Sequence, residues 1–145
     1  RRDAPDSVPR LVGVDTSALI EFLRSTGSPA DRTLDRLLDD PAVELCITEV
    51  VFMEVLSGAR TPGEVAELTE EVLHFRMLRL DPLRGYEEAA TLYRDCRRAG
   101  LTIPKMTDCL IAVPVIEAGA SLLHADSDFD RIAQVAPLRI EPVVP

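Results

Sequence analysis

The chain has 145 residues and a net charge of −9, from 16 basic and 25 acidic side chains. This length suits one domain, which buries roughly 70% of the surface of the unfolded chain and can hold a core without disulfides or structural metal. Hydrophobic residues make up 46% of it and aromatic residues 4%, which excludes wholesale disorder and predicts an aliphatic core. The acidity argues at first against nucleic acid, because phosphate is repelled by a field of the same sign.

Short apolar runs alternate with helical patterns along the chain, which predicts an α/β fold with a parallel sheet. The predicted strands are residues 11–14, 43–47, 76–80 (an edge strand), 121–124 and 138–140. The predicted helices are about residues 17–24, 29–41, 49–56, 62–73, 83–100, 108–118 and 128–134. We expect a loose leader over residues 1–10, a single domain over 11–141 and a short tail over 142–145.

Polar residues before the helices predict where they begin. The predicted N-caps are Ser28, Thr48, Thr61, Thr107 and Ser127. Helical spacing predicts that Leu34, Leu37 and Leu38 face the core. Pro114 lies inside the sixth helix, where it removes one backbone hydrogen bond and is expected to kink the helix.

The cysteines and the hydropathy pattern exclude several other classes. Cys46, Cys96 and Cys109 are odd in number and lack the spacing of a zinc site, so we expect reduced thiols in a cytoplasmic protein. No apolar run approaches the ~20 residues that a membrane span needs, so we expect no membrane association.

Acidic residues recur at the ends of the predicted elements. Asp15 follows the first strand, and Asp126 and Asp128 follow the fourth, where the functional crevice of an open parallel sheet lies. Asp108 begins a helix, and Glu54 interrupts an apolar helix, where a carboxylate is costly unless something pairs with it. Converging carboxylates repel one another, and a hard divalent cation is the usual remedy. This chemistry favours hydrolysis of a phosphodiester with Mg²⁺ or Mn²⁺.

Each acid taken alone also fits a simpler structural role. Asp15 is typical of a helix N-cap, Asp108 of a first-turn acid, and Asp126 and Asp128 of turn and cap residues. These roles together leave Glu54 unexplained, so we prefer the metal site.

Arg94, Arg97, Arg98 and Lys105 form the densest basic stretch, directly upstream of the sixth helix. They fit a solvated helix face and a phosphate-binding rim for RNA equally well. His124 fits a metal ligand or a base, but more simply a strand residue with a local hydrogen bond.

Four motifs follow one another along the chain: Val-Asp15-Thr16-Ser17, Glu54-Val-Leu-Ser-Gly, Thr107-Asp108-Cys-Leu-Ile-Ala and His-Ala-Asp126-Ser-Asp128. In this order and spacing the chain resembles a PIN domain over residues 11–141, and more narrowly the VapC-type toxins of bacterial toxin–antitoxin pairs. The resemblance implies a three-layer α/β/α fold around a four- to five-stranded parallel sheet. It also implies an endoribonuclease dependent on Mg²⁺ or Mn²⁺ that leaves 5′-phosphate and 3′-hydroxyl ends. A homodimer is implied as well, which a cognate antitoxin inhibits in a heterotetramer or larger complex.

The resemblance assigns roles to individual residues. The implied metal ligands and catalytic acids are Asp15, Glu54, Asp108 and Asp126, with Asp128 assisting. Thr16 and Thr107 match hydroxyl positions beside these acids. Removing the five acids from the count changes the net charge from −9 to −4, so the acidity points to a metal rather than against RNA.

Three alternatives belong to other classes of protein. A catalytically inactive PIN-like module that binds RNA or protein is the first, and the complete acidic set argues against it. A receiver domain would need paired acids after the first strand and a lysine after a later one, which this chain lacks. A DNA-directed nuclease of related fold usually has more acids and longer insertions.

Overall fold

A computed structural model describes residues 8–102 and 105–145, so residues 1–7 of the predicted leader lie outside the described part. Five strands form one sheet there: β1 (Arg10–Val14), β2 (Val43–Thr48), β3 (Arg76–Leu78), β4 (Ser121–Leu123) and β5 (Arg139–Ile140). The strand order is β3-β2-β1-β4-β5, and every pair is parallel. The predicted fold class is confirmed, and β3 is an edge strand as predicted.

The helices of this part of the chain are α1 (Thr16–Leu23), α2 (Pro29–Leu38), α3 (Glu49–Ser57), α4 (Pro62–Val72), α5 (Arg84–Arg98), α6 (Met106–Glu117) and α7 (Asp128–Ile132). Right-handed crossovers place α1–α4 on one face of the sheet and α5–α7 on the other. Within the faces, α1 packs on α2 and α3, and α6 packs on α5 and α7; α3 also contacts α6. None of these helices combines the length and the apolar character needed to cross a bilayer.

Three of the five predicted N-caps are confirmed: Ser28, Thr48 and Thr61 each accept a hydrogen bond from the third residue of their helix. Thr107 is wrong as a cap, because α6 begins at Met106, two residues before the predicted start, and Lys105 is its N-cap. Ser127 occupies the N-cap position of α7, but its side chain makes no capping bond.

The core is aliphatic, as the composition predicts, and its largest fully buried side chains include Leu34, Ile47 and Leu122. Leu38 was expected to face this core but is 47% exposed, because it is the last residue of α2 and lies at the periphery. The three cysteines are buried and free. Burial raises the pKa of Cys46 to about 11 and that of Cys109 to about 12, so both thiols stay protonated.

Helix α6 lies close to the centre of the sheet. A Cβ atom at Gly13 of β1 would lie 3.2 Å from Cγ2 of Val115, so glycine is the residue that allows this approach. The helix continues past the buried Pro114 to Glu117, so the proline does not end it, and the expected kink stays a prediction. Its first turn, which carries Asp108, is thereby fixed close to the end of β1.

A buried carboxylate joins the two ends of the fold. Glu141, which is 7% exposed, accepts hydrogen bonds from both terminal nitrogens of Arg10, at 2.6 and 3.1 Å, and from the hydroxyl of Ser121 at 2.7 Å. Arg10 was expected in the leader, but this ion pair and the pairing with Val43 make it the first residue of β1. Burial alone would raise the pKa of Glu141, but the bonds from Arg10 and Ser121 outweigh it and leave the pKa below its ordinary value.

Glu141→Gln is therefore expected to lower the free energy of unfolding at pH 7 by about 1–3 kcal/mol, since it removes the charged partner of Arg10 and leaves the buried hydroxyl of Ser121 with a weaker acceptor. A carboxylate with a lowered pKa stabilises the fold above its unfolded pKa, and this contribution is lost as the pH falls through the folded value. The difference in free energy of unfolding between wild type and variant, measured by urea denaturation, should thus disappear below about pH 4. Glu44→Gln, which breaks an exposed pair with Arg76, is the control and should change little. An equal effect of both substitutions would contradict this account.

Candidate active site

The sheet has a topological switch point between β1 and β4. The chain moves from β1 towards β3 on one side and returns to β4 on the other, which opens a crevice at the carboxyl ends of these two strands. Asp15 follows β1, and the backbone N–H of Asp15 donates to the carbonyl of Leu123 at the end of β4. The crevice therefore opens where the sequence placed the acidic residues.

The predicted acids do not all occupy equivalent positions. Asp108, Asp126 and Asp128 each place one carboxylate oxygen within 4.8 Å of the others; we name this group the acidic cluster. Asp15 is buried beside it, and the charge of Asp15 raises the pKa of Asp108. Glu54 lies further out, where its charge acts on Asp15. The structure thus groups three of the five acids, couples Asp15 to them and leaves Glu54 outside the cluster, where its charge acts on Asp15.

Ser17 joins the ends of β1 and β4, a role that sequence reasoning missed. Oδ2 of Asp15 accepts bonds from the backbone N–H and the hydroxyl of Ser17, at 3.0 and 2.6 Å. The same hydroxyl oxygen accepts a bond from the N–H of Ala125 at 2.9 Å. Asp15 is therefore the N-cap of α1 as well as a member of the site, and Ser17 fixes its carboxylate against the loop that carries Asp126. A serine two residues after a helix N-cap was the only signal for this role in the sequence.

The two predicted hydroxyl positions behave differently. The hydroxyl of Thr16, in α1, donates to Oε1 of Glu54 at 2.6 Å. The carboxylate of Glu54, which lies in the otherwise apolar helix α3, therefore has a hydrogen-bond partner. Thr107 is half-buried in the first turn of α6, and its hydroxyl makes no hydrogen bond to any residue that the structure describes. The supporting role expected of Thr107 therefore stays a prediction.

The loop after β4 is held by its own polar groups. Nδ1 of His124 accepts a bond from the N–H of Asp126 at 3.0 Å, and Oδ1 of Asp126 accepts one from the N–H of Asp128 at 3.0 Å. Because Nδ1 is an acceptor, the proton of a neutral imidazole is on Nε2, which lies 3.3 Å from Oδ1 of Asp130 without hydrogen-bond geometry. His124 thus shapes the loop that carries Asp126, which fits the simpler of its two interpretations.

Burial and repulsion determine the protonation of the site. Burial raises the pKa of Asp108 to about 7, and the charges of Asp15, Asp126 and Asp128 add to this effect. The bond that its carboxylate accepts from the N–H of Lys105, at 3.2 Å, only partly offsets the rise. Burial likewise raises the pKa of Asp15, against the bonds from Ser17. A nearby positive charge would therefore favour full ionisation of this edge at neutral pH.

The basic stretch lies largely in solvent. Arg94, Arg97, Arg98 and Lys105 are exposed. Arg98 pairs with Asp95 at 3.2 Å, and the guanidinium of Arg97 lies 6.0 Å from the centroid of the Tyr93 ring. Within residues 8–102 and 105–145, Arg94, Arg97 and Lys105 form no ion pair. These three charges are free to meet an anion.

Comparison with known proteins gives a consistent result. A family model described as PIN domain matches residues 12–135. A VapC ribonuclease of Mycobacterium bovis and ribonuclease VapC11 of Mycobacterium tuberculosis are each 39% identical to the chain over 129 residues, which cover 89% of this chain and 96% of theirs. In fold, the chain resembles VapBC2 from Rickettsia felis bound to a promoter DNA fragment, with a TM-score of 0.67 and 16% identity over 90% of this chain and 97% of that one.

Asp108→Asn is expected to stabilise the metal-free protein at pH 8 by about 2–4 kcal/mol, since each unit of pKa shift corresponds to about 1.4 kcal/mol. The sign follows from the raised pKa: the unfolded carboxyl ionises near its ordinary 3.8, whereas the folded one ionises at about 7. The wild-type protein therefore loses free energy of unfolding as the pH rises between these values. The variant does not, because the amide of Asn does not ionise. Urea denaturation in EDTA at pH 4 and pH 8 measures the effect. Equal stability of variant and wild type at pH 8 would disprove the electrostatic account of this site.

Proposed function

This chain belongs to the PIN-domain family, among the VapC ribonucleases, and we propose that it hydrolyses RNA phosphodiesters with a divalent cation held by Asp15 and the acidic cluster. The observation that carries the proposal is the convergence of three carboxylate oxygens within 4.8 Å, beside a fourth, buried carboxylate. The raised pKa of Asp108 supports the proposal, because burial and the neighbouring carboxylates disfavour its charged form and a bound cation would favour it.

The residues present fit a hard cation. The donor atoms are carboxylate oxygens, which suit Mg²⁺ and Mn²⁺, while the cysteines are buried in the core and Nδ1 of His124 accepts a backbone bond. We propose Mg²⁺ or Mn²⁺ as the ion, held by Asp15, Asp108 and Asp126 with help from Asp128. Glu54 completes the acidic set from the side of Asp15. When bound, such an ion polarises a phosphoryl oxygen and makes water a stronger acid.

The protein's own contribution is to hold these carboxylates in place before the substrate arrives. Ser17 orients Asp15, the N–H of Lys105 orients Asp108, and the N–H of Asp128 orients Asp126. Partners of this kind around metal ligands commonly change metal affinity or activity by 10- to 100-fold when they are removed. Thr16 orients Glu54 in the same way, which supports a role for this acid in the reaction.

The basic stretch supplies the proposed contacts to the RNA backbone. Lys105 is the N-cap of the helix that carries Asp108, so a phosphate held there is delivered beside the acidic cluster. Arg94 and Arg97 extend this positive region along α5. Contacts of this type fix the register of a nucleic acid without reading its bases.

We further propose that the chain works in the cytoplasm as a homodimer under the control of an antitoxin, with which it forms a heterotetramer or larger complex. Support comes from the 39% identity to VapC ribonucleases and from the likeness in fold to a chain of VapBC2 from Rickettsia felis. Three buried, unpaired thiols suit a reducing compartment. An inactive binding module, the alternative from sequence, gains no support from a site whose acids converge.

The substitution Asp15→Ala tests whether Asp15 holds the cation needed for RNA cleavage. The variant is expected to lose Mn²⁺-dependent cleavage of RNA by more than 100-fold while keeping its far-UV circular dichroism, because the carboxylate is removed and the fold relieved of repulsion. Sequencing of the RNA ends should show a 5′-phosphate and a 3′-hydroxyl for the wild type. Asp35→Ala, at an exposed position of α2, is the matched control. Metal-dependent cleavage that survives in Asp15→Ala would refute the proposal.

The basic rim is tested separately by Arg94→Glu with Arg97→Glu. Reversal of these two exposed charges is expected to weaken RNA cleavage at least tenfold, mainly through KM, and to reduce its dependence on salt, because fewer phosphates are neutralised. The free energy of unfolding should stay within about 0.5 kcal/mol of the wild-type value, as for most exposed substitutions. Unchanged cleavage would assign these residues to a solvated helix face.

A further inference from the structure

One cation contacts the acidic cluster from within the chain. Nη1 of Arg131 lies 2.5 Å from Oδ1 of Asp128, three residues earlier on α7. The side chains are 34% and 23% exposed, and Arg131 is the least exposed arginine in any ion pair of the described residues. This pair is therefore screened less by solvent than an ordinary i,i+3 pair on a helix surface.

The other acids at this edge are held by uncharged groups. Asp15 is bonded by Ser17, and Asp108 and Asp126 accept backbone N–H groups. Among residues 8–102 and 105–145, Arg131 is the one positive side chain in an ion pair with a member of the acidic cluster. Its guanidinium thus supplies part of the charge compensation that a divalent ion would supply, and it occupies one oxygen of a carboxylate that such an ion would use.

We propose that Arg131 is an internal counter-ion of the acidic cluster, which holds Asp128 in place without metal and competes with the divalent cation for its carboxylate. The inference rests on the proposed function, since it assumes that the cation binds here. Arg131 acts through Asp128 and is a positioning residue. It reduces the repulsion between the carboxylates of the cluster and so stabilises the loop after β4. Because it competes for Asp128, it also weakens metal binding.

The direction of the effect separates this role from a structural one. Removal of a positive charge from the cluster, together with release of Oδ1 of Asp128, should strengthen cation binding. An arginine that only supports α7 would affect stability alone. An arginine that presents Asp128 to the metal would, when removed, weaken binding.

Calorimetric titration of the metal-free proteins with Mn²⁺ measures this directly. Arg131→Gln is expected to bind Mn²⁺ about fivefold more tightly than wild type, the change that one weakly screened ion pair provides. Arg131→Lys should restore the wild-type affinity, and Arg76→Gln, which breaks the pair with Glu44 far from the cluster, should match wild type. In an Asp128→Asn background, Arg131→Gln should have little further effect, because its partner is already gone.

Unchanged or weaker Mn²⁺ binding by Arg131→Gln would overturn the inference, as would a full effect in the Asp128→Asn background. No Mn²⁺ binding by the wild type would instead refute the proposed function, so the two failures are distinguishable. If Arg131→Gln does not fold, ¹⁵N NMR of the wild-type arginine side chains decides the question. Added Mg²⁺ should free the Arg131 guanidinium to rotate, and retention of its restrained signal at saturation would overturn the competition.

Discussion

Three carboxylate oxygens lie within 4.8 Å of one another at the carboxyl edge of β1 and β4, and their repulsion is the constraint that the surrounding structure has to meet. The constraint follows from topology, since parallel strands on either side of a switch point bring their following residues together. Burial makes it more severe, because Asp15 and Asp108 are removed from the water that would screen them. The aliphatic core on both faces of the sheet has to offset this cost.

Most of these carboxylates are held in place, despite their repulsion, by hydrogen bonds from uncharged donors. Backbone N–H groups and the Ser17 hydroxyl fix the direction of the Asp15, Asp108 and Asp126 carboxylates without neutralising them. The carboxylate of Asp128 is instead paired with Arg131. For these three carboxylates the fold controls orientation but leaves the negative charge to a bound cation, whereas Arg131 affects both the orientation and the charge of Asp128. A site arranged in this way is ready for a divalent ion and is poorly suited to exist without one, which is the expected compromise between stability and function.

Sequence reasoning succeeded where local rules determine the outcome. The parallel sheet, its edge strand and the meeting of Asp15 with Asp126 follow from the alternation of elements and the rule for strand ends. It failed where a residue's partner lies far away in the sequence and belongs to no recognisable motif. The buried Glu141 depends on Arg10, 131 positions away, and nothing local marks either residue as part of a pair.

The remaining differences arise within the site itself. Thr107 is typical of a cap, yet the carboxylate of Asp108 bonds the N–H of Lys105 and moves the start of the helix. In the same way Asp126 replaces the Ser127 hydroxyl at the start of α7. In both places the acid of the site performs the capping that a neutral residue was expected to perform. Local rules fail here because one side chain serves the backbone and the chemistry together.

The net charge of −9 has a different meaning once it is placed on the structure. Much of the excess lies at one edge of the sheet, where a bound cation would reverse its effect on an approaching phosphate. Arg94, Arg97 and Lys105 are free of ion pairs in the described part of the chain, whereas most of the other acidic side chains are dispersed over the solvent-exposed helices. Without a cation the acidic cluster would repel an approaching phosphate, while the exposed charges of Arg94, Arg97 and Lys105 would attract it. Monovalent salt weakens the arginine contacts and a divalent ion completes the site, so the two ions act on RNA binding in opposite directions.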